Sequence, residues 1–285
     1  MTNPQSELAR TIIESLKANT YPWREAWFAN NTGMPSNIIG RKYTGGNVMT
    51  LVCHAANKKI KSRWWATRKM WEKIGGRVSG NPFDAAKVSF VKLSEKQDGS
   101  DVFVRSYDVY NIEHVDARTP EVEKKLERFR HQTMWQGDFM KAELLFARHR
   151  QVFRESDRAA YVSETDDIEM PNKRRFRSVA HYYETAFHEL FHWAMGKKRL
   201  NKPRDTDREV ARHELAAEFC ACFLAAELGL KFDTDVLDET KAYMQRWVKH
   251  IEADSRFVWS AARLASNATT YLLTQRGGSD CRGAQ

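Results

Sequence analysis

Cysteine is scarce in this chain, with four in 285 residues: Cys53, Cys220, Cys222 and Cys281. Four are too few for a disulfide framework, and Cys220 and Cys222 lie two apart in a stretch of helical character, where their side chains diverge. That usage fits a reducing compartment, the cytoplasm. Long apolar runs are missing as well. The longest, FCACFLAAELGL at 219–230, is too short to span a bilayer and carries Glu227, so no membrane partner is expected. The first twenty residues have no basic start followed by an apolar block, and hence no secretory leader is expected. What the chain does have is 42% hydrophobic and 12% aromatic residues, which excludes disorder as its dominant state and suffices for one or two cored domains.

Acidic residues are under-represented in one part only. Residues 1–118 hold 18 basic and 11 acidic residues, a net of +7, whereas residues 159–285 balance at 19 of each. Within 41–77, ten Lys/Arg stand against the single acid Glu72, and five of the nine tryptophans (Trp23, Trp27, Trp64, Trp65, Trp71) fall in or just before that window. Single-stranded nucleic acid is held by cations that neutralise phosphates and by rings on which bases stack. The candidates for such contacts are Trp23, Trp27, Arg41, Lys42, Tyr43, Asn47, Lys61, Arg63, Trp64, Trp65, Arg68 and Lys69. The competing reading makes the tryptophans a core and the lysines its solvated rim; it accounts for the same composition.

The hydrophobic pattern predicts a first helix over about Gln5–Ala18, helices near Met49–Asn57 and Thr67–Ile74, and strands at Lys87–Leu93 and Asp101–Asn111 joined by a turn at Asp98–Gly99. Residues 119–150 read as a connecting segment with one helix. Short strands follow at Ala159–Val162 and before Met170–Pro171, and from the N-cap Ser178 the chain is helical almost to its end, with stops at Gly196 and Gly229. The expected organisation is α+β: a small mixed N-terminal domain over 1–118 and a mainly helical domain with a short sheet over 151–275. A disordered tail is expected over 276–285.

One motif is sharp. His188-Glu189-Leu190-Phe191-His192 is an HExxH sequence inside a predicted helix. Positions i and i+4 share a helix face, so both imidazoles can reach one ion, and Glu189 can reach a water on it. That donor set favours Zn²⁺, although Mn²⁺, Co²⁺ or Ni²⁺ are also accepted by imidazole and carboxylate. A third ligand is sought downstream, where Glu214 and Glu218 lie one turn apart on an otherwise apolar helix. Glu214 is assigned as the ligand and Glu218 as its neighbour bonded to a zinc histidine, the gluzincin arrangement, with Glu218 the substitute ligand. An oxyanion-stabilising side chain is not identifiable; Tyr182, Tyr183 and His213 are candidates. The strand at Ala159–Val162 is the candidate edge for an extended peptide substrate.

These segments together resemble the ArdC antirestriction proteins of conjugative plasmids and their relatives among phage and mobile-element polyvalent proteins. The resemblance is carried by PWREAW at 22–27, Asn37, YTGGN at 43–47, Trp64–Trp65, Gly75–Gly76 and VYNIEHVD at 109–116 in the first half. In the second it is carried by IEMP at 168–171, Tyr182–Tyr183, HELFHW, ARHELAAE at 211–218, AAELG at 225–229, Trp247-Val-Lys and the helix from Phe257 to Tyr271. Val210 and His213 stand where that family often has Tyr and Glu; the ligand positions are intact. The resemblance implies a single-stranded DNA-binding domain followed by a zincin-like metallopeptidase domain, in a protein that protects incoming DNA from restriction. Double-stranded DNA is a further candidate partner and a peptide or protein a candidate substrate. Two other functions fit the residues: a DNA-binding protector with a non-catalytic metal site, and a soluble metalloprotease cutting a host regulator.

Overall fold

The computed structural model describes residues 4–18, 20–24, 27, 33–93, 102–130, 139–149, 152–202, 204–232 and 238–274. The turn expected at Asp98–Gly99 and the tail over 276–285 lie outside the described residues. The chain divides into two compact units, Met1–Met134 and Trp135–Gln285.

The first unit runs α1 (Pro4–Lys17), α2 (Pro22–Arg24), α3 (Gly46–Lys58), β1 (Trp65–Ala66), α4 (Arg68–Lys73), β2 (Gly76–Val78), β3 (Ala86–Leu93), β4 (Val102–Asn111), β5 (Val115–Ala117) and α5 (Pro120–Arg130). Leu8, Ile12 and Leu16 form the buried stripe of α1, and Glu7 and Lys17 sit at the ends where the helix dipole favours them. Thr67 caps α4 by accepting from Met70 N–H. β3 and β4 form an antiparallel hairpin from Ala86↔Val109 to Leu93↔Val102, and β1 joins on the far side of β4, giving the order β1-β4-β3. β2 and β5 make a separate antiparallel pair.

One core of this unit gathers Ala66, Trp71, Val78, Tyr110, Ile112, Val115, Leu126 and Phe129. Trp71 donates its indole N–H to Tyr110 O at 3.0 Å, and Phe129 sits edge-on to both Trp64 and Trp71. Leu126 and Phe129 belong to α5, so the residues read from sequence as a connecting segment supply part of this core. Two polar clamps close loops over long separations. Glu113 accepts from Lys61 and Ser62 N–H at 2.7 and 2.8 Å. Asn47, buried on α3, both donates to Ser89 O and accepts from Ser89 N–H, each at 2.8 Å.

The second unit holds α6 (Met140–His149), β6 (Phe153–Glu155), β7 (Ala160–Val162), β8 (Asp167–Met170), α7 (Val179–Met195), α8 (Asp207–Leu228), α9 (Asp238–Ala253) and α10 (Arg256–Thr274). Its sheet has the order β6-β8-β7, with β7 antiparallel and β6 parallel to the central strand. Strand β6 is absent from the sequence-based reading, since three residues with no inward-outward alternation leave no periodic signal. The helix limits are where the sequence puts them. Ser178 accepts from His181 N–H to cap α7, a Thr206/Glu209 capping box opens α8, and Gly229 closes α8 at a φ of 72°.

α8 is the centre of this unit, packed against α7 and α10 and crossed by α9, whose Trp247 donates to Ala211 O at 3.0 Å. It is buried from Ala211 and His213 through Ala225, nearly all round. Among the described residues no helix is long and apolar enough to cross a membrane. Replacing Asn47 by Ala should cost the first unit about 2–4 kcal/mol, because two buried backbone groups of Ser89 lose their partners. Urea denaturation followed by tryptophan fluorescence measures it, and a loss below about 0.5 kcal/mol would show that water replaces the clamp.

Candidate metal centre

A buried helix that carries two carboxylates needs compensating charge, and α8 finds it on α7. His188 and His192, one turn apart on α7, face Glu214 on α8. The distances are 3.2 Å between the two Nε2 atoms, 3.3 Å from His188 Nε2 to Glu214 Oε2, and 3.5 Å from His192 Nε2 to Glu214 Oε1. Among the described residues these three form the group able to hold a metal ion. Ligand atoms around a tetrahedral ion lie about 1.6 bond lengths apart, which for bonds of about 2.0–2.1 Å is about 3.3–3.4 Å. The two imidazoles stand close to that spacing from each other and each from one oxygen of the Glu214 carboxylate, and the residues fit a divalent cation.

The electrostatics lead to the same conclusion. Burial works against a charge on Glu214, yet the imidazoles beside it hold its carboxyl far below the usual carboxylate range. Burial also works against a proton on His188, but Glu214, Glu218 and Glu189 outweigh it and raise its pKa well above the ordinary value. Two ring nitrogens facing each other at 3.2 Å require a proton or a cation between them. Behind the site, His188 Nδ1 meets Glu218 Oε1 at 3.1 Å, which turns Nε2 toward the other donors. Glu214 thus stands among the donors, and Glu218 backs the first histidine.

Glu189 is anchored from the sheet. Tyr161 N–H, on edge strand β7, donates to Glu189 Oε2 at 2.7 Å. The strand is itself pinned at its turn. Asp166, at a φ of 62°, accepts from the Tyr161 hydroxyl and is ion-paired with Arg199, whose guanidinium lies 4.0 Å from the centre of the Trp193 ring. Hydrogen bonding from Arg199 brings Asp166 down to about 2. This cluster ties the β7–β8 turn to the end of α7, so the backbone N–H that meets Glu189 is held at two points. Gly196 leaves room for it, since a Cβ there would come within 2.5 Å of Arg199 and 2.8 Å of the Tyr161 hydroxyl.

The donors open into a cleft of about 590 Å³ whose walls include Glu189, Arg158, Arg175, Phe176, Tyr243 and Trp247. Tyr243, which the sequence reading missed, comes from α9. The Glu214 charge pushes its hydroxyl pKa upward, so it stays a donor facing the site. Its signal was the row Tyr243, Trp247, Ile251 at four-residue spacing, which marks one inward helix face. The three oxyanion candidates lie elsewhere. Tyr183 bonds to Glu143 and Lys173, Tyr182 stacks edge-on with Phe176, and His213 is buried against Phe191 with burial pushing it down to about 4.

In the first unit the aromatic candidates are corrected by their burial. Trp23, Trp27 and Trp65 are at most 3% exposed, and Tyr43 and Asn47 are buried with them. Trp23 packs edge-on against Tyr21, Tyr43 donates to Trp65 O, and Asn47 is committed to Ser89. Large rings of this size contribute more to a small core than to a solvated surface, and these five offer no face to a base. Trp64 is half-buried under the Arg63 guanidinium, 4.7 Å from its ring centre, and Arg68 is exposed with its guanidinium 5.2 Å from the Tyr110 ring centre. Arg41, Lys42, Lys61 and Lys69 are exposed.

A divalent-cation site built from HExxH on one helix and a glutamate on the next, flanked by a short sheet, defines the zincin-like class. Residues 140–264 match the family model of the zincin-like metallopeptidase domain, and residues 2–135 match the N-terminal domain of anti-restriction factor ArdC. The crystal structure of the ArdC protein from plasmid R388 with Mn(II) bound is 30% identical, covers 95% of this chain and 97% of its own, and superposes with a TM-score of 0.78. Its metal-free form gives 0.75, covering 94% of this chain and 96% of its own at the same identity. The chain belongs to the ArdC antirestriction family. It is also 30% identical over 303 residues to a DNA primase TraC of Escherichia coli, covering 94% of this chain and 27% of the primase. This chain thus spans about a quarter of that relative's length.

Loading metal-free protein with Zn²⁺ or Mn²⁺ at pH 7 should release protons, because the cation displaces the proton held on His188; affinity then rises with pH up to the raised His188 pKa. Calorimetry in buffers of different ionisation heat counts those protons. In the same assay Glu218→Gln should weaken metal binding about 10–100-fold.

Proposed function

We propose that this chain is an antirestriction factor whose first unit binds single-stranded DNA and whose second unit is a zinc peptidase, the two acting together to protect incoming DNA. The observation that carries the peptidase half is the triangle of His188, His192 and Glu214 donors with Glu189 alongside. The ion is Zn²⁺ by its donor set, and the R388 relative, whose structure holds Mn(II), supports a divalent cation in this family. The peptide is taken in the cleft beside β7. The basic character of residues 1–118 and the ArdC-type match of the first unit support the DNA half.

A divalent ion supplies Lewis-acid polarisation of the scissile carbonyl and a water of lowered pKa. The chain's own residues do the rest. Glu189 is the base: Tyr161 N–H holds Oε2, which leaves the second oxygen to accept the water proton and pass it to the leaving amine. Glu218 keeps His188 in the tautomer that offers Nε2. The Tyr243 hydroxyl, a neutral donor on the cleft wall, stabilises the charge that develops on the carbonyl oxygen.

The test is Glu189→Gln, which keeps size and hydrogen bonding and removes the base. Metal content and oligonucleotide binding should stay at the level of the starting protein. Peptide hydrolysis and protection of transferred DNA in a restriction-proficient recipient should fall by about two orders of magnitude or more. Protection that survives the substitution undiminished would leave the metal site a structural element of a protein that shields DNA by occupancy.

A further inference from the structure

With Trp23, Trp27, Trp65 and Trp71 in the core and Trp64 half-buried, the first unit needs other, more exposed rings if it is to stack bases. Among its described residues the exposed large hydrophobics are Ile39, Phe83, Phe90 and Tyr107, and the last two stand side by side. We propose that the middle of the β3–β4 pair, where Phe90, Tyr107 and Arg105 share one face, is the platform on which bases of single-stranded DNA stack. The proposal rests on the reading of the first unit as a single-stranded DNA binder and names the surface that does it.

The pairing register builds the platform. Alternation puts Ala86, Val88 and Phe90 on one face of β3, and Arg105, Tyr107 and Val109 on the same face of β4, with Phe90 directly opposite Arg105 and Val88 opposite Tyr107. At the base of the hairpin that face is core: Ala86, Val88 and Val109 are at most 2% exposed. Farther out it leaves the core, and Phe90 and Tyr107 are 43% and 41% exposed, edge to face with ring centres 5.7 Å apart. Two rings so arranged present differently oriented surfaces to successive bases.

Charge and rigidity both favour a nucleic acid. Arg105 is directly opposite Phe90 and two residues from Tyr107 on the same face of β4, an exposed cation beside both rings that a phosphate or a base can meet. The neighbouring acid Asp108 projects to the opposite face, where Lys87 neutralises it at 2.6 Å. The strands beneath are fixed by the Asn47 clamp on Ser89 and by the Ser89–Ser106 hydroxyl contact at 3.1 Å. Two exposed rings with a cation beside them are what a few nucleotides require.

The experiment is fluorescence anisotropy of the full chain with a labelled oligothymidylate over a range of salt. Phe90→Ala and Tyr107→Ala should each weaken binding about fivefold or more, while Tyr107→Phe retains it. Arg105→Gln should lower the slope of log affinity against log salt by about 0.7, which the ring substitutions leave unchanged. All three positions are exposed, so the urea midpoint should not move. Full affinity in the Phe90→Ala/Tyr107→Ala double variant would overturn this surface and leave the DNA-binding reading in place. An unaltered protein that does not bind the oligonucleotide at all would remove both. A double variant with unchanged DNA affinity but a lower sedimentation mass would assign the face to contact between copies of the chain and overturn the proposal.

Discussion

The second unit depends on one electrostatic constraint: Glu214 and Glu218 sit inside a helix that is otherwise core, and something must hold their charge there. Two histidines on α7 do so by facing them across the helix–helix contact. Because imidazole and carboxylate attract strongly at 3.1–3.5 Å away from bulk water, the register of α7 against α8 is set by the site itself as well as by Leu190, Phe191 and their neighbours. A site made this way is present before any ion arrives. Its spacing belongs to the packing of two helices, and a change in that packing would be a change in the chemistry.

The sheet plays a second part in the same constraint. A glutamate next to a metal ligand is useful only if its oxygens point in known directions, and here a backbone donor on β7 fixes one of them. The Asp166–Arg199–Trp193 cluster then carries the rigidity of α7 round to the strand. Glu189, the His188/His192/Glu214 group and the cleft wall are therefore parts of one packed body rather than residues on separate loops, the arrangement that precise positioning demands.

The helices and the HExxH site were legible because their signals are local: Ser178, Gly196 and Gly229 mark helix ends by rules that need only a few neighbours, and His188 and His192 share a face by helix geometry alone. Glu214 and Glu218 were legible for a different reason, since two acids in an apolar helix stand out. Tyr243 and the Arg199–Asp166 pair were not, because each acts across about 30 residues or more and nothing in a linear pattern ties them to the site. Trp23, Trp27 and Trp65 stood among the contact candidates because composition counts rings without saying which way they face. The sequence alone permitted two readings of the same residues, and burial separates them: Trp23, Trp27 and Trp65 are packing, while exposed cations remain around them.

The packing of α5 bears on how the molecule can be taken apart. Phe129 lies edge-on to Trp64 and Trp71, and Ser62 donates its hydroxyl to Phe129 O at 3.2 Å. A truncation after residue 118 would strip that cover from two indoles and leave a sticky, half-open fragment prone to precipitate. A fragment carried through residue 130 keeps its lid, so the place to cut lies beyond the helix, and failures of shorter pieces would speak of a missing cover rather than a missing activity.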